Sequence, residues 1–340
     1  MRGRSGTVGG GAGMGRRGGT AEGGEGVGGR VVTLGETMGL LAATTVGHLR
    51  HVPHMALGIG GAESNVSVAL ARLGTDVTWI GRVGADSLGD RVVRELTAEG
   101  IDVRAVRDTG AATGLMLKER LPGGAVKVWY YRSGSAGSRL EPDDIDPELV
   151  AGARLLHVTG ITPALSGRAA AAVSYAVDTA RAHGVTVSVD LNYRSALWPP
   201  EQAAPVLREL VARADLVFAG DDEAALVVGE GTPEELALKL GELGPSTVVI
   251  KLGAQGALAS VDGVVHRRPA VPVEVVDSVG AGDAFVGAYL SELVAGAEPK
   301  RRLDTAALAG ALLCTVPGDW EGMPDRAVLE GWRGVGEVVR

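Results

Sequence analysis

The chain carries a single cysteine in 340 residues, Cys314. One thiol excludes an internal disulfide and fits a reducing cytoplasm. Its Ala/Leu-rich helical setting marks it as a small buried hydrophobe. Aromatic residues are scarce, at 4%, against 45% hydrophobic residues in all, so the core is built from Ala, Val and Leu. No run approaches the ~20 apolar residues of a membrane span. An excess of positive charge is also missing. The formal net charge of −8 argues against nucleic acid as a partner. It leaves room for an anionic small molecule, which a few local arginines can bind. The chain has no Gly-x4-Gly-Lys-[Ser/Thr], no His-Arg-Asp and no Asp-Phe-Gly, so P-loop and protein-kinase chemistry are excluded. Its six histidines show no zinc spacing: His48, His51 and His54 have no cysteine or carboxylate cluster nearby.

What is present begins oddly. Fourteen of the first 29 residues are Gly. Such a segment cannot bury enough surface to offset its chain entropy, which predicts a disordered tail. Arg16-Arg17 lacks the apolar run of an export signal. From Arg30 to about residue 334 the chain alternates strands and helices. Apolar, β-branched runs predict buried strands at Val77–Ile80, Leu155–Val158, Thr186–Val189, Leu216–Phe218, Thr247–Ile250 and Val271–Val276. Helical periodicity falls at Ala62–Leu73, Ser87–Glu99, Gly167–His183, Pro200–Ala212, Pro233–Leu243, Asp283–Val294 and Thr305–Cys314. This order predicts an α/β fold with a mostly parallel sheet covered on both faces, whose ligands lie at the carboxyl ends of the strands. Residues 37–57 and 114–132 are strand-like without helices between them. The second reads as a hairpin turning at Pro122-Gly123-Gly124. Together they predict a small separate sheet, a lid beside the strand ends.

Chemistry concentrates in a few segments. In Asp277-Ser-Val-Gly-Ala-Gly-Asp283, three small residues expose backbone N–H groups where a helix begins, which makes an anion site. Asp283 is either a simple N-cap or a base beside that site. The second role suits phosphoryl transfer to a hydroxyl, where a carboxylate takes the proton and amides hold the developing charge. Gly58-Ile-Gly60-Gly61-Ala-Glu-Ser-Asn65 is a strand-to-helix turn. It fails the dinucleotide fingerprint, because the third glycine position is Glu63. It either makes a tight turn or brings bare backbone to a polyol, with Asn65 bonding hydroxyls. Asp190-Leu-Asn192-Tyr-Arg194 follows a buried strand, and Arg194 is either a surface ion-pair residue or a bidentate anion ligand. Lys251-Leu-Gly253-Ala-Gln-Gly256 is a post-strand loop. Tyr130-Tyr131-Arg132 ends the lid hairpin, and Gly318-Asp319-Trp-Glu-Gly322 is a polar loop.

Together these segments resemble the ribokinase-like (PfkB) carbohydrate kinases over roughly residues 30–330. Gly60-Gly61 with Asn65, and Gly81-Arg-Val-Gly84-Ala-Asp86-Ser-Leu-Gly89, resemble the N-terminal signature. Asp277 to Asp283 resembles the C-terminal one, with Ser278 where Thr is usual. Within the family, Tyr130 to Ala136, Gly160 to Leu165, Asn192-Tyr-Arg194 with Leu197-Trp198, and Gly318-Asp319 are most similar to the 2-keto-3-deoxygluconate kinases. The resemblance implies a Rossmann-like core with a β-sheet lid, and ATP-dependent phosphorylation of a sugar acid with Mg²⁺ on the phosphates. It implies Asp283 as base, with Gly280, Ala281 and Gly282 as anion hole. It implies Gly61, Asn65, Tyr130, Arg132, Arg194 and Asp319 around the sugar acid. Asn192, Gly220, Lys251, Gly253, Gly256, Gly280 and Gly282 would line the nucleotide side, and Glu223 the metal–phosphate region. A homo-oligomer formed through the lid is expected as well. Two positions depart from the family pattern: Gly220 replaces the Asn of Asn-x-x-Glu, and Ala307 replaces a late-helix Asn. Fructokinase activity and a non-catalytic sugar-binding regulator are the competing readings.

Overall fold

The computed structural model describes residues 29–335; the expected glycine-rich tail lies outside the described residues except for Gly29. In chain order the strands are β1 (Val31–Leu34), β2 (Met38–Ala43), β3 (Met55–Gly60), β4 (Val77–Gly84), β5 (Asp102–Asp108), β6 (Leu115–Arg120), β7 (Val126–Tyr131), β8 (Leu155–Thr159), β9 (Thr186–Asp190), β10 (Leu216–Gly220), β11 (Thr247–Lys251), β12 (Ala257–Val261) and β13 (Val264–Arg268). The helices are α1 (Ala62–Arg72), α2 (Ser87–Ala98), α3 (Pro147–Ala151), α4 (Ile161–Leu165), α5 (Gly167–Ala182), α6 (Pro200–Ala212), α7 (Asp221–Val228), α8 (Pro233–Gly241), α9 (Ala281–Val294), α10 (Pro299–Leu313) and α11 (Arg326–Val335).

Nine strands form one sheet in the order β13-β12-β11-β10-β9-β8-β1-β4-β5. It is parallel from β11 through β5, and antiparallel where β12 joins β11 and β13 joins β12. The central strands are continuous apolar runs because both faces are covered. One face packs against α5, α6, α7 and α8, the other against α1, α2, α9 and α10. A second sheet, β3-β2-β6-β7, is the separate four-stranded layer.

The carboxyl ends of β9, β10 and β11 are where the apolar runs give way to Asp190, Gly220 and Lys251. Gly220 pairs with Lys251, and Phe218 with Asp190. Phe218 is fully buried and meets Tyr289 of α9 edge-on, with ring centroids 5.3 Å apart. Such a pair adds about 0.5–1.5 kcal/mol beyond its burial and fixes α9 over these strand ends. Gly287 of α9 lies so close to Ala69 of α1 that a side chain would have no room. This close crossing sets the first turns of α1 and α9 side by side.

One predicted strand is not a strand. Val271–Val276 has no ladder partner and runs as irregular backbone. Pro272 lacks the N–H a ladder needs, and Val275 and Val276 are 63% and 37% exposed. Its apolar side chains line a cleft instead. Strands β1, β5, β12 and β13 carried too weak a pattern to be read from the sequence. β1 has only four residues, and β5, Asp-Val-Arg-Ala-Val-Arg-Asp, is a polar edge strand.

Candidate active site

Helix α9 opens at Gly280, whose φ of 82° is left-handed backbone that favours glycine. The amides of Gly280 and Gly282 make no hydrogen bond among the described residues. That of Ala281 bonds the Ser278 carbonyl at 3.3 Å. The helix end therefore presents free N–H groups where the macrodipole is positive. Asp283 lies in this first turn and is only 8% exposed. Its Oδ2 accepts a 2.8 Å hydrogen bond from Asn65 Nδ2, so Asn65 touches the carboxylate directly. Burial pushes the Asp283 carboxyl up to about 7, and Asp190 adds to the rise. Asn65, Arg194 and Lys251 oppose it. A carboxylate tuned near neutrality is poised to take a proton at physiological pH.

The strand ends supply the charges around it. Lys251 Nζ bonds both oxygens of Asp190, at 2.7 and 2.8 Å, and lies close to Gly282. Burial and the neighbouring Asp190 hold the Glu223 carboxyl above its ordinary range, against the pull of Lys251. Both Glu223 oxygens accept main-chain N–H groups, from Tyr193 at 2.9 Å and Gly220 at 2.7 Å. Glu223 thus ties the β9 and β10 exits together. Asn192, buried and left-handed at φ 38°, turns the chain out toward Arg194. Arg194 is exposed and its guanidinium has no partner among the described residues, yet its charge reaches Asp283.

A largely apolar cleft of about 520 Å³ runs from this point. Its walls include Val271, Val273, Phe285, Ala307 and Ala311, and its inner end is Lys251 with Gly282. Gly253 and Gly256 line it too, so the residues expected on the nucleotide side share one cavity, apart from Asn192, Gly220 and Gly280, which are not on its wall.

The opposite side is closed by the small sheet and the 318–322 loop. Asp319 is buried, and its carboxyl is raised by burial while Lys118 opposes the rise. Arg132 Nε bonds Glu36 Oε2 at 2.7 Å and Nη2 bonds the same oxygen at 2.6 Å, while Ser135 Oγ donates to Glu36 Oε1. Two of the Arg132 nitrogens are therefore already occupied. Tyr130 is 45% exposed and lies under the Arg132 guanidinium, 5.7 Å from its ring centre. Gly61 starts α1, its carbonyl accepting from the Asn65 N–H at 2.8 Å. Glu63, which broke the dinucleotide pattern, is buried and accepts from Thr159 and Thr162 Oγ1, each at 2.7 Å. It ties α1 to the end of β8.

Glu36 and Lys118 were missed from sequence. Lys118 left a signal: on β6 it shares a strand face with Met116, a buried residue, and so had to be buried and paired.

A mostly parallel α/β sheet with a buried carboxyl at a helix N-terminus, an apolar cleft on one side and a lidded polar wall on the other defines a small-molecule kinase. The chain belongs to the pfkB family of carbohydrate kinases, whose model matches residues 29–326. It is 40% identical over 300 residues to the 2-dehydro-3-deoxygluconokinase of Thermoproteus tenax, covering 86% of this chain and 91% of that protein. It is 36% identical over 293 residues to the 2-dehydro-3-deoxygalactonokinase of Haloferax volcanii, covering 85% and 92%. An E. coli structure in complex with ATP and Mg²⁺ superposes with a TM-score of 0.84 at 26% identity, covering 90% of this chain and 99% of that one.

Proposed function

We propose that this enzyme transfers the γ-phosphoryl group of ATP to the primary hydroxyl of a sugar acid, 2-keto-3-deoxygluconate, making 2-keto-3-deoxy-6-phosphogluconate. The observation that carries this reading is Asp283: a buried carboxyl raised to about 7, in the first turn of α9, between free amides and an unpartnered arginine.

The residues fit MgATP. A flat apolar base suits the cleft walls, and the phosphates suit its inner end, where Lys251 and the Gly280 and Gly282 amides supply positive charge. Among the described residues no three His, Cys, Asp or Glu side chains are grouped to hold a metal. A Mg²⁺ bound with ATP would be held largely by phosphate oxygens and water. Glu223 and Asp190 supply the negative charge beside it. When bound, MgATP supplies the phosphoryl group, with the metal spreading its charge.

This chain's own residues do the rest. Asp283 accepts the hydroxyl proton through one carboxylate oxygen while Asn65 holds the other. The free amides of α9 stabilise negative charge on the transferred group. Arg194 holds the sugar's carboxylate, and Asp319, Tyr130 and the Gly61 turn close round its hydroxyls. The lid, drawn from residues 37–57 and 114–132 of a catalytic unit spanning 30–334, keeps water out. Initial rates with ATP and Mg²⁺ are to be measured on 2-keto-3-deoxygluconate, its galactonate epimer, fructose and ribose. The sugar acids should turn over fastest. Faster turnover of fructose or ribose would reject the sugar acid and favour a ketose kinase.

We also propose that two copies pair through the outer face of the lid sheet. Leu57, Leu41, Leu117 and Trp129 are in register across its four strands. Leu57 is 42% exposed and Trp129 44%. An exposed apolar row of this kind marks an interaction face, and a two-fold contact would cover it with itself. In sedimentation velocity the wild type should run as a dimer and Trp129→Glu as a monomer; a monomeric wild type rejects the pairing. ATP-dependent chemistry of this kind belongs in the cytoplasm, and cell fractionation that recovers the activity elsewhere would reject that location.

A further inference from the structure

The most deeply buried cation among the described residues has no part in the proposed reaction. Lys118, on the lid strand β6, has a side chain only 2% exposed. Its ammonium meets Asp277 Oδ2 at 2.7 Å, Asp319 Oδ1 at 2.9 Å and the Gly318 carbonyl at 2.9 Å. One positive charge is thus shared by two buried carboxylates.

Three segments converge on it. Asp277 opens the loop into α9, where its Oδ1 accepts from Val279 N–H at 3.1 Å and its Oδ2 from Gly318 N–H at 3.3 Å. Asp319 follows on the 318–322 loop, and its carbonyl packs against Gly280 so closely that a side chain there would collide with it. The third segment is the lid strand itself. The loop that carries the free amides, the loop that walls the acceptor side and the lid are therefore pinned at one atom. Without that ammonium, two carboxylates that now share one partner would repel each other, and burial would leave them without compensation. The two loops would part, and the anion hole would lose its register with the acceptor wall. Displacements of about 1 Å at such a site cost on the order of 10²-fold in rate.

We propose that Lys118 is a positioning residue for phosphoryl transfer, whose ammonium locks Asp277 to Asp319 and so holds the α9 amides in register with the sugar-binding wall and the lid. The proposal rests on the kinase reading above.

The test is Lys118→Met, which removes the charge and keeps an unbranched side chain. In the folded variant, kcat should fall ~10–100-fold and the sugar-acid KM should rise, while ATP affinity measured by calorimetry changes less than threefold. A merely structural lysine would lower the melting temperature and leave kcat and both affinities of the folded protein unchanged. That result overturns the proposal. Where Lys118→Met fails to fold, Lys118→Met/Asp277→Asn keeps the junction's net charge as it was. A wild-type kcat in that double variant overturns the proposal equally, and a loss of the same size supports it. Asp283→Asn, run in parallel, separates the two readings. Full activity in Asp283→Asn breaks the base assignment, whereas an inactive Asp283→Asn beside a fully active Lys118→Met breaks only the role of Lys118.

Discussion

Asp283→Asn will lower kcat by at least ~10²–10⁴-fold, the range that loss of a general base produces, and will make the protein more stable at neutral to alkaline pH. Both effects have one cause. Burial raises the Asp283 carboxyl from 3.8 to about 7. Between those values the folded protein holds a proton that the unfolded chain has released, so stability falls as pH rises through that window. Once pH exceeds 7 the cost is complete, on the order of 4 kcal/mol for a shift of this size. Asparagine carries no charge to desolvate, and its side-chain oxygen can still accept from Asn65 Nδ2. Calorimetric melting at about pH 8 should show Asp283→Asn above the wild type by several degrees, with the gap closing at about pH 4. For the wild type, kcat/KM for the sugar should rise with pH and level off above about 7, as the carboxylate becomes available. A near-wild-type rate in the asparagine variant would remove Asp283 from the mechanism. A variant melting below the wild type at alkaline pH would show that the carboxylate is stabilised and not strained.

Arg194→Met will raise the KM for a sugar acid by ~10–100-fold and leave fructose or any neutral acceptor almost unaffected. The guanidinium is exposed and unpartnered among the described residues, so it is free to take a carboxylate. A charge-assisted hydrogen bond contributes ~1.5–3 kcal/mol, which sets the expected size. Arg132 cannot substitute. Two of its nitrogens are held by Glu36, whose side chain is 1% exposed. Removing Arg132 would strand a buried carboxylate, and its main effect would be lost stability, ~3–5 kcal/mol for a broken buried pair. Steady-state kinetics on a sugar acid and on fructose, with melting temperatures for both variants, separate the two arginines. Equal losses on acidic and neutral acceptors would take the carboxylate away from Arg194.

Much of this protein could be read from its sequence because the relevant signals are local. Strands buried on both faces are runs of Val, Ile and Leu wherever they occur, so β4 and β8 to β11 were legible within a residue or two at their starts. The turn into α9 is equally local: Gly280, Ala281, Gly282 and Asp283 announce free amides and a carboxylate within four positions. The lid hairpin followed from alternation and from Pro122-Gly123-Gly124.

What the sequence left open depends on pairs far apart in the chain. Asn65 and Asp283 are 218 positions apart, and only the crossing of α1 and α9 at Gly287 shows that they bond. Arg132 and Arg194 look alike as residues. The fold makes one a buried ion pair with Glu36, 96 positions away, and leaves the other free. Val271–Val276 has a strand's composition, but it joins no sheet, and Pro272 has no N–H to give a ladder. The sequence by itself determined the central buried strands and the glycine-rich helix start that ends in Asp283, since each is set by the chemistry of adjacent residues. The raised pKa of Asp283, the free arginine and the junction at Lys118 were decided only by the tertiary structure, because burial and charge pairing belong to the space around a residue and not to its neighbours in the chain.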